Sequence, residues 1–124
     1  MERKWLKQEP KSKNCGQIAV AVIAGITIEE ATKLVGKKGG TNTKMISAAL
    51  RKLGYLCPIR CSKMKRPQLG IGQMKHPKRK SGWHWVVVDG DKIFDGINGN
   101  PDGTINWPED WVITSYLPVR KEEL

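Results

Sequence analysis

The chain has 124 residues and a formal net charge of +10, from 22 Lys and Arg against 12 Asp and Glu. That length predicts one core-bearing domain over residues 1–124. Three cysteines, an odd and sparse set, exclude a dense disulfide framework and fit a reducing cytoplasm. Residues 1–13 are mostly polar and lack the apolar core of a signal peptide, and the apolar run at 18–28 is too short to cross a bilayer, so a cytoplasmic protein without membrane association is expected.

The first element follows Asn14-Cys15-Gly16-Gln17. Ile18-Ala19-Val20-Ala21-Val22-Ile23-Ala24 is too rich in Ala for a strand and apolar on every face, which predicts a buried helix over 15–24 ending near Gly25. Asn14 is the expected N-cap. A second helix is predicted through Val35, with Thr27 and Glu30 as a capping box and Gly36 at its end. Lys37-Lys38-Gly39-Gly40 reads as a flexible connection. A third helix is predicted over 43–53, capped by Asn42 or Thr43 and closed by Gly54. Residues 55–59 suggest a short edge strand, with Pro58 at its limit.

Residues 57–82 carry eight basic and no acidic side chains, and 62–82 lack periodicity, so this stretch reads as a long basic loop. It is a solvated loop, a grip for an acidic protein, or a nucleic-acid surface helped by Met74, Trp83 and Trp85. A hairpin follows. Residues 83–88 form a strand rich in aromatic and β-branched side chains, Asp89-Gly90 a two-residue turn, and 91–95 the return. That turn sets Val88 opposite Asp91, Val86 opposite Ile93 and His84 opposite Asp95. Residues 96–106 read as a loop, and a last turn and strand run through Trp107 and 111–119.

Three residue types then form a chemical set. A cysteine at the first position of a helix meets the dipole and the free backbone N–H groups, which favour the thiolate and can hold an oxyanion. Opposite residues of a hairpin have Cβ atoms roughly 4.5–5.5 Å apart, so Asp95 would orient His84 and support its imidazolium. If the face carrying Val86 and Ile93 packs on the start of the first helix, Cys15 meets His84, giving nucleophile, base and orienter. Taken singly, Cys15 reads as a core thiol, His84 as a satisfied strand histidine and Asp95 as a turn acid. A competing metal site would draw on Cys57, Cys61, His76 and His84, although the Cys-x3-Cys spacing is wider than the commonest ligand pair.

These pieces resemble the papain-like cysteine peptidases, in particular the small bacterial branch that processes bacteriocin leader peptides after a double glycine. The resemblance rests on Cys15-Gly16 at the start of an Ala-rich helix, Gly25 with Ile26 and Ile28-Glu29-Glu30-Ala31, Leu53-Gly54-Tyr55, His84-Trp85-Val86-Val87-Val88, and Asp95, in that order. It implies an α+β fold in which N-terminal helices, with the nucleophile at a helix start, pack on a small antiparallel sheet. It also implies thiol-dependent cleavage of a peptide or protein substrate by Cys15, His84 and Asp95, without a cofactor. The family adds a Gln before the Cys as an oxyanion donor. Its usual spacing of six falls on Glu9, so Gln8, seven residues before Cys15, serves only with a one-residue bulge. Gln17, where many members have Pro or Leu, lies inside the helix and is a poorer candidate. The alternative function is an inactive peptidase-like binding module whose basic loop takes an acidic protein or nucleic acid.

Overall fold

A computed structural model describes residues 3–8, 12–75, 83–97 and 111–122. His76, Trp107, residues 76–82 of the basic stretch and 98–106 of the loop after the hairpin lie outside the described residues. Three helices come first: α1 Cys15–Ala24, α2 Ile28–Val35 and α3 Thr43–Lys52. Strands follow: β1 Tyr55–Leu56, β2 Leu69–Lys75, β3 Trp83–Asp89, β4 Lys92–Phe94, β5 Ser115–Pro118 and β6 Arg120–Lys121. An antiparallel sheet of order β4-β3-β2-β5 carries the hairpin, and β1 pairs with β6 in a separate ribbon. This is the α+β arrangement expected from the sequence.

The helices end where their residues dictate. Thr27 and Glu30 form both bonds of a capping box, and Asn42 accepts from the Met45 N–H at 2.9 Å. Gly25, Gly36 and Gly54 take the left-handed backbone (φ 71°, 82° and 88°) at or just past the three helix ends. Helix α1 is buried from Cys15 to Ile23 and forms the centre of the main core. Its Ile23 carbonyl, left over at the helix end, accepts from Arg3 at 2.7 Å and from the Tyr55 hydroxyl at 3.2 Å. Arg3 also pairs with Asp89 at 2.9 Å, tying the N-terminal segment to the hairpin.

Two readings from the sequence need correction. The first is the loop at 62–82: residues 69–75 are a strand, and an inner one, with β3 on one side and β5 on the other. Gly70 and Gly72 hide it, because glycine is depleted in strands and carries no pattern. They are there for close approach. A Cβ on Gly70 would lie 2.6 Å from the Leu117 carbonyl oxygen and 2.8 Å from Pro67 Cγ, and one on Gly72 would press on Ile113 and Val86.

The second is the hairpin register. Val88 opposes Ile93 and Asp89 opposes Lys92, so the two-residue loop is Gly90-Asp91, not Asp89-Gly90. Gly90 enters the loop with φ 61°, a conformation that favours glycine, and donates its N–H to the Gln68 carbonyl at 2.8 Å. Each residue's partner moves by two places. A shift of one would have reversed every side chain, whereas a shift of two leaves the faces as they were. His84 and Asp95 therefore stay on one face, as diagonal rather than direct neighbours.

Nor does the face carrying Val86 and Ile93 join the helical core. Trp85, Val87 and Phe94 join the helical core, whereas Val86, Val88 and Ile93 pack on the other side with Ile113 and Tyr116. Because Gly70 sits in the inner strand, Gly70→Val should destabilise the protein by about 1–3 kcal/mol through overpacking. Denaturant unfolding checks this; an unchanged midpoint would contradict the close approach.

Candidate active site

Cys15 opens α1 and is 8% exposed. The expected side-chain cap is absent: Asn14 makes no capping bond, and its Oδ1 accepts from the Ser12 hydroxyl at 2.7 Å instead. The Asn14 carbonyl still starts the helix by accepting from Ile18 N–H at 2.9 Å. The N–H groups of Cys15, Gly16 and Gln17 precede that first intrahelical bond and point out of the helix start. Leaving the cap open therefore keeps donors and the positive end of the dipole beside the sulfur.

His84 is the second residue of β3 and is wholly buried. Its Nε2 lies 2.7 Å from Asp95 Oδ1, and the Asp95 carboxylate is wholly buried too. Cys15 lies close enough to the ring to act on its titration. With Nε2 turned to Asp95, Nδ1 is the nitrogen left for the sulfur. The contact is made at the end of the strand rather than by laying the whole Val86 face on the helix. Burial by itself would lower the His84 pKa. The hydrogen bonds to Asp95 and Cys15, with the charges of both, outweigh it and bring the value up to about 9.

Other contacts fix this pair. Asp95 Oδ1 also accepts from Ile97 N–H at 3.0 Å, and its backbone carbonyl accepts from the Trp5 indole at 3.0 Å. The rings of Trp111 and His84 meet edge to face, with centroids 6.3 Å apart. Gln8 is buried, not part of a solvated tail. Its backbone N–H bonds the Gly96 carbonyl at 2.9 Å, and its side-chain amide donates to the Ser12 carbonyl at 3.1 Å. Gly96 must lack a side chain, since a Cβ there would lie 2.8 Å from Gln8 Cβ.

Gln17 has a different task. Wholly buried, it donates from Nε2 to the carbonyls of Lys37 (2.7 Å) and Gly39 (2.9 Å), so the connection read as flexible is anchored. The one polar side chain inside an otherwise apolar helical run was the signal for this. Trp5 stood out as an apolar anchor in a polar stretch, whereas the contribution of Ser12 had no comparable mark in the sequence.

Of the competing metal site, His76 lies outside the described residues, and Cys57, Cys61 and His84 each have other partners. Cys57 Sγ lies 3.3 Å from the Ser47 hydroxyl, Cys61 Sγ 4.0 Å from that of Thr43, and His84 is held by Asp95. Among the described residues no three His, Cys, Asp or Glu gather closely enough to hold a metal ion. A groove of about 740 Å³ lies elsewhere, lined by residues such as Tyr55, Leu69, Pro118 and Arg120, and includes neither Cys15 nor His84. Among the described residues no helix is long and apolar enough to cross a membrane.

No family model matches the sequence, and no curated protein matches it. Among solved structures, the fold is similar to the crystal structure of the peptidase domain of Streptococcus ComA, a bi-functional ABC transporter involved in a quorum-sensing pathway. The two share 18% sequence identity with a TM-score of 0.65, over 98% of this chain and 100% of that one. The fold implied by the order of the sequence motifs is thus the fold observed, that of a papain-like peptidase domain.

Proposed function

We propose that this protein is a thiol hydrolase that cleaves a peptide or isopeptide bond in a peptide or protein substrate. In this reading Cys15 is the nucleophile, His84 the general acid and base, Asp95 the orienter of the imidazole and Gln8 a donor beside the oxyanion. One observation carries it: Cys15, at an uncapped helix start, lies beside an imidazole that Asp95 grips at 2.7 Å. The similarity of fold to a peptidase domain agrees with it.

The chemistry follows from the groups. The Cys15 thiolate attacks the carbonyl carbon, and the carbonyl electron pair moves onto oxygen, where the N–H groups of the α1 start meet it. The Gln8 amide has two hydrogens, one of which is on Ser12, leaving the other for the same oxygen. The imidazolium gives its proton to the departing amine as the C–N bond breaks, leaving a thioester. Neutral His84 then takes a proton from water, whose oxygen attacks the thioester, releasing the acid and restoring the thiolate–imidazolium pair. No step calls for a cofactor.

Cys15→Ala should abolish cleavage of a peptide substrate while leaving the fold intact, because Ala suits a helix position. Residual turnover in that variant would refute the mechanism. Iodoacetamide should alkylate Cys15 well before Cys57 or Cys61, read by peptide mapping. Burial pushes the Cys61 thiol pKa up despite hydrogen bonds to Thr43 and Ser115. Equal rates at all three sulfurs would count against Cys15.

The pH dependence has a definite sign. The His84 pKa is raised in the folded protein from 6.5 to about 9. Its stabilising contribution is therefore fully present below pH 6.5 and is lost as pH rises through about 9. The melting temperature should fall over that range more in wild type than in Cys15→Ala, which lacks one of the groups that raise the His84 pKa. Activity should fall with the same limb, as the imidazolium loses its proton.

A further inference from the structure

The connection between α2 and α3 is held against the start of α1 from two sides. Gln17, two residues after Cys15, binds the carbonyls of Lys37 and Gly39. Gly16 provides the space for Thr41, whose Oγ1 occupies the position where a Cβ on residue 16 would sit. Leu or Met at 17 would fill similar volume without the cost of burying an amide, and only the two hydrogen bonds offset that cost. What they achieve is to fix a segment containing Gly39-Gly40, which has no apolar side chain of its own to anchor it. The segment carries Lys37 and Lys38, both exposed, on a backbone fixed to the first turn of the helix that presents Cys15.

We propose that this segment is a cationic wall of the active site that selects substrates with a carboxylate close to the scissile bond, and that Gln17 is the positioning residue that holds it there. The proposal rests on Cys15 being the nucleophile. Two ammonium groups on a segment fixed to the first turn of α1 act on an anion that comes within about one Debye length, roughly 10 Å at 0.1 M salt. A free glycine-rich loop would spread the same charges over a wider volume and weaken their effect. Acidic peptides are the substrate class that this charge fits.

The test needs no substrate. Iodoacetate and iodoacetamide react with a thiolate in the same way, sulfur displacing iodide, but the first is an anion and the second is neutral. The quantity read is the ratio of their rate constants at Cys15, followed by peptide mapping. Replacing Lys37→Gln together with Lys38→Gln should lower that ratio roughly two- to fourfold at low salt. In 1 M salt wild type and variant should converge. Gln17→Met keeps both lysines and the apolar bulk, and should lower the ratio in the same direction. An unchanged ratio in the double lysine variant overturns the wall. A ratio that follows the lysines but ignores Gln17→Met overturns the clamp. Alkylation does not require turnover, so a flat ratio with intact peptide cleavage would sink this inference alone. The reverse result would sink the hydrolase reading.

Discussion

The structure depends on a wholly buried imidazole paired with a wholly buried carboxylate, His84 Nε2 to Asp95 Oδ1 at 2.7 Å. Removing two such groups from water is costly, and the bonding that offsets it converges on one carboxylate oxygen. Ile97 N–H is a second donor to Asp95 Oδ1, Asp95 Oδ2 has no partner among the described residues, and Cys15 lies beside the imidazole. Trp5 fixes the Asp95 backbone through its carbonyl, while Trp111 stands edge-on to the imidazole. Pieces distant in sequence are committed to one small volume, and that commitment decides where the N-terminal segment runs.

Helix α1 is the other half of the constraint, and it is fixed at both ends. At its C-terminal end, Arg3 and Tyr55 converge on the Ile23 carbonyl, and Arg3 reaches on to Asp89 of the hairpin. At its start, Gln17 holds the α2–α3 connection and Gly16 receives Thr41. An all-round apolar helix has no polar face to set its rotation about its own axis. Position along the axis and rotation come instead from these few polar contacts and one glycine. The sulfur reaches the imidazole because the helix has one seating in the core.

Much of this was legible from residue patterns. Helix limits followed from Thr27 with Glu30, from Asn42 and from the glycines at 25, 36 and 54, because capping chemistry is local. The hairpin was legible in parity but not in register. Asp89-Gly90 and Gly90-Asp91 are both acceptable turns, and the choice depends on remote contacts: Arg3 on Asp89 and Gln68 on Gly90. That His84 and Asp95 share a face survived the shift, since parity is all that a two-place change preserves. Strand β2 was not legible, because Gly70 and Gly72 answer to neighbours far along the chain, Leu117, Ile113 and Val86. The burial of Gln8 was equally remote, being set by the bare backbone of Gly96.

The three cysteines show how far environment, rather than residue type, sets chemical character. Cys57 is buried beside the Ser47 hydroxyl, near the carbonyls of Ser47 and Pro58, with Arg51 fixing its own carbonyl. Cys61 is partly exposed, yet desolvation pushes its thiol pKa up and the hydroxyls of Thr43 and Ser115 only partly offset this. Among the described residues neither has a base within its contacts. Cys15 is as buried as Cys57, so exposure cannot be what separates them. The difference is an imidazole beside the sulfur and an open helix start. Burial suppresses charge at Cys61, where hydroxyls face the thiol. The carboxylate behind His84 reverses the sign, because it keeps the ring protonated against the pull of desolvation.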